Sequence, residues 1–473
     1  MKTNSLLLVL FFASLFSCSS DPGKTGNAVE TKDSISAKEN FAKGQIIEKV
    51  VNLTDASQSA AIYLPSSYST DKTYPVIYIF DAHAEATLPL SMYKELAEKY
   101  GYILIGSNNS KNGLSWEESL SIANKLFADA QQRISINTGR VYLLGFSGGA
   151  RVANALCLSN GGIAGVICCG AASPAINPKD PRSDYTFLGI CGNKDFNYIE
   201  MRKYDMVGLA GRAVKRAVLE FDGGHEWPPA EVMSDAFLWT ELNAIRTKKA
   251  PANDSLVAVN ISAMRKEISA LQKEGEAYKV YNTVRRGINF FDGLTPLTEF
   301  YDIYNPLKSN AEVDKALKRE EITWKKEDEL KAYYRDAIQT KNSDWWKQDI
   351  ASLNKKIKTG DPNEVRMQQR VMSYLSLLAY MQTTSMMQKN NFGAAKMFND
   401  IYILVDPKNS EGYYLQAQIF AVQGKRKEVI TALNSAIDNG FKDVTRLRSD
   451  NTFGSQLTDE EFKAVVKRAG EVK

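Results

Sequence analysis

Val141-Tyr142-Leu143-Leu144-Gly145-Phe146-Ser147-Gly148-Gly149-Ala150 is the stretch on which the reading of this chain turns. An apolar run enters Gly-x-Ser-x-Gly, and a helical pattern follows from Arg151 to Leu158. Small residues flank the serine because a sharp strand-to-helix turn brings backbone very close to it and leaves its Oγ at the edge of a sheet. Five common residues are weak evidence alone. The strand before them and the helix after them supply the context that the turn requires.

Working outward, the chain from residue 44 to 245 alternates short apolar runs with helical segments. The runs are 60–64, 75–80, 102–106, 141–145, 163–169, 185–190 and 212–221. This alternation predicts an α/β fold, a mostly parallel sheet covered on both faces. In such sheets ligands bind beyond the carboxyl ends of the strands, so chemistry is sought there.

A serine hydroxyl needs a neighbouring base to become a nucleophile. The chain has 2 histidines. His225 lies in Phe221-Asp222-Gly223-Gly224-His225-Glu226-Trp227, after the last run, and the order serine, acid, histidine selects it over His83. The base in turn needs an acid to hold its tautomer. Asp195, in Leu188-Gly189-Ile190-Cys191-Gly192-Asn193-Lys194-Asp195, follows a strand and precedes His225. Asp180 and Asp184 precede that strand, and Asp222 is too near His225 in sequence to reach its far nitrogen. The expected constellation is Ser147, Asp195 and His225.

From about residue 53 to 239 the chain resembles the esterase branch of the α/β-hydrolase superfamily, near polyhydroxybutyrate depolymerases, feruloyl esterases and dienelactone hydrolases. The resemblance implies hydrolysis of small or carbohydrate-borne acyl esters through an acyl-enzyme on Ser147. No cofactor or metal is expected, because the sequence holds no His/Cys/Asp cluster with ligand spacing and the single available base is already used. It also implies that two backbone N–H groups hold the oxyanion, one from Gly148 and one from the loop after run 75–80. That loop reads Phe80-Asp81-Ala82-His83-Ala84 where many relatives carry His-Gly-x-x, which aligns Asp81 with the usual histidine and His83 with the usual donor. Phe146, Asn108, Trp116 and Trp227 are candidate substrate contacts. Only residues 170–184 are available as a lid, so an open pocket is expected. A serine peptidase or amidase is the second enzymatic reading. A helical-repeat interaction protein on an inert hydrolase scaffold is the non-enzymatic one.

The ends of the chain carry different signals. Residues 1–18 have a Lys2 head, an apolar run from Leu6 to Phe16, and Leu15-Phe16-Ser17-Cys18. This layout reads as an export signal ending in a lipobox, with Cys18 lipidated. The apolar run is shorter than the ~20 residues a bilayer span needs. Residues 19–43 read as a flexible tether. An exported bacterial lipoprotein facing the periplasm or anchored to the outer membrane is expected. Cys157, Cys168, Cys169 and Cys191 fall in apolar stretches without metal-ligand spacing and read as buried thiols. A net charge of +4 over 473 residues, with no block of like charges, offers no nucleic-acid footprint.

Beyond residue 246 the pattern turns all-α: a connecting region over 247–363, then tetratricopeptide-like repeats over 364–473. Segments 376–409 and 410–442 match at a spacing of about 34 residues. Ala395 and Val429 share one inter-helix position, Tyr402 and Ala436 another. A buttress or self-association role is expected for this half, with binding of a protein partner as the alternative. The aromatic pairs Phe290-Phe291 and Trp345-Trp346 read as inter-helix core.

Overall fold

A computed structural model describes residues 38–454 and 457–472. The signal segment, Cys18 and residues 19–37 of the expected tether lie outside the described residues.

Eight strands form one sheet: β1 (Ile46–Val51), β2 (Ser59–Tyr63), β3 (Tyr74–Phe80), β4 (Ile103–Ser107), β5 (Ile136–Phe146), β6 (Ile163–Cys169), β7 (Thr186–Gly192) and β8 (Lys215–Phe221). Their order is β1-β2-β4-β3-β5-β6-β7-β8. The β1/β2 and β2/β4 pairs are antiparallel, and the pairs from β4/β3 to β7/β8 are parallel. The expected α/β class is thus the observed one. β1 was not among the apolar runs because exposed Glu48 and Lys49 interrupt it, at an irregularity in its pairing with β2.

Helices α1 (Thr87–Tyr100), α2 (Trp116–Arg133), α3 (Gly148–Ser159), α4 (Tyr198–Lys203) and α5 (Ala230–Arg246) cover the two faces. α2, α3 and α4 share one core with the sheet, and α1 and α5 the other. α2 starts at a capping box in which Ser115 and Glu118 satisfy each other's backbone N–H.

The remaining chain is helical: α6 (Asp254–Lys273), α7 (Ala277–Phe291), α8 (Thr298–Leu307), α9 (Ala311–Thr340), α10 (Ser343–Thr359), α11 (Pro362–Gln388), α12 (Phe392–Val405), α13 (Ser410–Val422), α14 (Arg426–Asp438), α15 (Val444–Ser449) and α16 (Asp459–Gly470). α6, α7 and α8 extend the core beneath α5, where Trp239 meets Phe290 with centroids 5.0 Å apart. The structure therefore places no break in packing at residue 246. α9 to α12 form a third core containing Trp346, and α13 to α16 a fourth. Ala395, Val429, Tyr402 and Ala436 are all buried between helices. α11 is longer than a repeat helix. Asp361 caps it and Pro362 begins it, close to the expected start of the repeat region at 364, so it runs about four turns before the first matched segment at residue 376.

Two close contacts set the local geometry at the sheet's carboxyl edge. A Cβ on Gly149 would collide with the Phe80 carbonyl, and one on Gly145 with the Gly149 carbonyl. The end of β3, the end of β5 and the start of α3 are therefore in backbone contact. Secondly, Glu200 on α4 pins the crossover between β6 and β7. Its Oε1 accepts the N–H groups of Ala172 and Ser173 at 3.2 and 3.0 Å, and its Oε2 accepts Arg151 at 2.6 Å. Burial raises the Glu200 pKa, but Arg151 and the two N–H donors outweigh it and bring it below the ordinary value.

Gly149→Ala is expected to lower unfolding stability by about 1–3 kcal/mol. Gly161→Ala, where an added Cβ meets nothing within 4 Å, should stay within about 0.5 kcal/mol of wild type in the same denaturant melts. For Glu200, a depressed folded pKa means a contribution present above the unfolded value of about 4.3 and lost as pH falls through the folded one. Glu200→Gln should therefore cost about 1–2 kcal/mol at pH 7. Urea melts repeated toward pH 3 should show that gap closing.

Candidate active site

Ser147 sits between β5 and α3 with φ 53° and ψ −117°, a conformation a side chain rarely adopts. Its own N–H is tied to the Cys169 carbonyl at 2.8 Å, so β6 holds the turn from the side. The hydroxyl then stands free of the helix. Ser147 Oγ lies 2.8 Å from His225 Nε2, and His225 Nδ1 lies 2.9 Å from Asp195 Oδ2. The structure brings the three expected residues into one hydrogen-bonded chain.

Each member has its own support. Asp195 is 0% exposed, and its second oxygen accepts the Asn197 N–H at 2.8 Å. Asn197 donates its side-chain N–H to the Gly170 carbonyl, also at 2.8 Å, which ties the loop after β7 to the end of β6. Gly170, at φ 66°, leaves room that a Cβ would take from Phe146, His225 and Asp195 together. The His225 ring is flanked by Phe196 and Phe146, with centroids 4.2 and 4.8 Å away. This apolar packing leaves Asp195 and Ser147 as the polar partners of the ring. With Asp195 ionised, Nδ1 carries the proton and Nε2 is free to accept one from the serine.

The oxyanion loop differs from expectation. His83 N–H, the expected donor, is 2.6 Å from Asp81 Oδ1 and is spoken for. Asp81 is 2% exposed. It also accepts the Glu85 N–H at 3.3 Å and the Trp227 indole N–H at 3.0 Å. A short acidic side chain bonding the N–H two residues on is a common local habit of aspartate, and it was the signal in Asp81-Ala82-His83 that went unread. The buried Ala82 between them keeps an N–H with no partner among the described residues. Gly148 N–H, at the first turn of α3, is likewise unpaired among the described residues.

Of the four expected substrate contacts, Trp116 alone lines the cavity beside Ser147's helix. That cavity, about 220 Å³, is bounded by Trp116, Asn112, Gly148, Gly149, Arg151 and Ala175, among others. Phe146 and Trp227 are 6% and 7% exposed and pack on one another at 5.3 Å, so they brace His225 and Asp81 instead of facing a cleft. Asn108 donates to the Glu48 carbonyl and the Ser59 hydroxyl, which commits it to the antiparallel edge. The side chain of His83 is 69% exposed. Asn112, unremarked in the sequence, rests its amide against Gly148. Cys157, Cys168, Cys169 and Cys191, the four cysteines among the described residues, are buried free thiols, and burial pushes their pKa up. A larger cavity of about 860 Å³ lies elsewhere, between β8, α7, α9 and α11, lined by Arg202, Glu220 and Glu320 among others.

Neither a family model nor a curated protein matches the chain. Among solved structures it is similar to FphF, a fluorophosphonate-binding serine hydrolase of Staphylococcus aureus, at 15% identity, 42% coverage of this chain, 99% of that one, and TM-score 0.34. It is similar to an S-formylglutathione hydrolase from Agrobacterium tumefaciens at 15% identity, with 42% and 96% covered and TM-score 0.35. The feruloyl esterase module of Clostridium thermocellum is similar at 14% identity, with 43% and 88% covered and TM-score 0.31. At these identities the likeness concerns the α/β fold alone.

Proposed function

We propose that this chain is a serine hydrolase acting on carboxylic esters. The observation that supports this reading best is the unbroken chain Ser147 Oγ, His225 Nε2, His225 Nδ1, Asp195 Oδ2, with contacts of 2.8 and 2.9 Å and the serine on a strained turn. Ser147 Oγ attacks the ester carbonyl as its proton passes to His225 Nε2. Asp195 stabilises the imidazolium, and the N–H groups of Gly148 and Ala82 take the oxyanion. His225 then returns its proton to the departing alcohol oxygen, leaving an acyl group on Ser147. Water, losing a proton to His225, attacks the acyl carbonyl, and as the acyl–Oγ bond breaks His225 returns that proton to Ser147 Oγ and the acid departs. A cavity of about 220 Å³ lined by Gly148 and Trp116, beside the helix that follows Ser147, supports a small acyl or sugar-borne group as the substrate.

We further propose that the mature chain starts at a lipidated Cys18 and is held at a bacterial membrane facing the periplasm. The apolar run and the Leu15-Phe16-Ser17-Cys18 sequence support it.

A fluorophosphonate probe should label the wild type and leave Ser147→Ala unlabelled. On a p-nitrophenyl ester panel graded by acyl length, Ser147→Ala should lose about 10⁶-fold in kcat and Asp195→Asn about 10⁴-fold. A wild type inert to probe and esters alike refutes the reading. For the anchor, expression with a radiolabelled fatty acid should mark the wild type and not Cys18→Ser. Equal labelling, or none in either, tells against it.

A further inference from the structure

The loop that carries Asp195 has its backbone shared between the two halves of the molecule. Its N–H groups are satisfied within the α/β half. Asn193 N–H bonds the Phe221 carbonyl and Lys194 N–H the Gly223 carbonyl, both at 2.9 Å, while Asp195 N–H bonds Gly192 at 3.1 Å. Its carbonyls face the other way. Asn193 C=O accepts Arg370 Nη1 at 2.9 Å, Lys194 C=O accepts Ser373 Oγ at 3.4 Å, and Phe196 C=O accepts Lys331 Nζ at 2.8 Å. The Asp195 carbonyl is closed locally by Tyr198 N–H at 2.9 Å. Three donors from α9 and α11 thus complete the backbone of a loop that sits on the α/β half.

Those donors are themselves fixed. Glu327 on α9 is 0% exposed; its Oε2 accepts Arg370 Nε at 2.8 Å with Nη2 2.7 Å away, and its Oε1 pairs in charge with Lys331 Nζ at 2.7 Å. The guanidinium lies over the Tyr198 ring, 4.7 Å from its centroid. With two of its nitrogens held by Glu327, the third has one direction left, toward Asn193. A buried ion triad is a poor source of stability, since apolar residues of equal volume commonly do as well. Its value lies in direction. Arg370 and Ser373 stand on the third and fourth turns of α11, ahead of the matched segment 376–409.

We propose that Arg370, Lys331 and Ser373, oriented by Glu327, are positioning residues for the acid of the triad, so that the helical half sets the placement of Asp195 against His225. This rests on the reading of Ser147, His225 and Asp195 as a working triad. None of the four touches the reacting atoms. A displacement on the order of 1 Å of the acid loop is enough to cost one to two orders of magnitude in rate.

The test uses the full chain, with the double variant Glu327→Gln/Arg370→Gln, which removes both buried charges of the pair. Lys331→Met is made alongside, since it keeps the Glu327–Arg370 pair and folds even if the double variant does not. Lys203→Ala is the control, because Lys203 bridges α4 to Asp328 on α9 without touching the acid loop. Two readouts are taken: the rate at which a fluorophosphonate labels Ser147, and the deshielded Nδ1–H resonance of His225 in ¹⁵N-histidine-labelled protein, with His83 as internal reference. The groups facing the His225 ring are Asp195 at Nδ1, Ser147 at Nε2, and the rings of Phe146 and Phe196. The expected result is labelling slowed roughly 10- to 100-fold in the double variant and less in Lys331→Met. The His225 resonance should broaden or move upfield while that of His83 stays, and Lys203→Ala should match wild type. Labelling rate and resonance unchanged in folded variants would overturn the proposal, as would equal losses in Lys203→Ala. Failure of the triad reading shows separately, as a wild type that the probe leaves unlabelled. The resonance still reports then whether α9 and α11 hold Asp195.

Discussion

The turn at Ser147 is the constraint on which the rest of the molecule depends. Its backbone angles cost free energy, on the order of 1–3 kcal/mol for a non-glycine residue, and they persist because three strands surround it. β3 presses its last carbonyl against Gly149, β5 delivers the chain, and β6 takes the serine N–H. The strain has a geometric return. It frees the N–H groups at the start of α3 and directs the hydroxyl away from the helix, toward a histidine brought from beyond β8.

Around that turn the polar groups are few, and both carboxylates are buried. Asp195 is buried, His225 is pressed between two phenylalanine rings, and Asp81 gathers three N–H donors, one from Trp227. In a low-dielectric setting each such bond is stronger, and each missing partner costs more. The aromatic residues near the site therefore pack against His225 and Asp81, and the cavity beside Ser147 opens on the Asn112 and Trp116 side.

Two of the contacts that join the helical half to the α/β half work by different physics. α6 to α8 bury apolar side chains on a core shared with α1 and α5, which is non-directional packing. α9 and α11 instead present Lys331, Arg370 and Ser373 to a row of carbonyls, the first two held by buried Glu327, which is directional. The first contact fastens the halves together. The second aligns one loop, and it does so through the stretch of α11 that lengthens it beyond a repeat helix.

Much of this was legible in residue order. The apolar alternation and the strand before Gly145 imply the parallel sheet, and the order of serine, aspartate and histidine picks Ser147, Asp195 and His225, because chain order and strand ends constrain which residues can meet. The matching offsets at Ala395 and Val429 reveal the paired helices of the carboxyl end, since small residues are needed where helices cross closely. The edge strand β1 escaped because charged residues interrupt it, and the role of Phe146 and Trp227 escaped because aromatic character alone does not say whether a ring faces solvent or core. Only the tertiary structure decided which N–H groups beside the serine are free, since the capture of His83 by Asp81 depends on how one loop folds back on itself. Likewise only the tertiary structure joined Glu327, Lys331 and Arg370 to a loop well over a hundred residues earlier, because hydrogen-bond direction is set by the placement of whole helices and leaves no trace in local pattern.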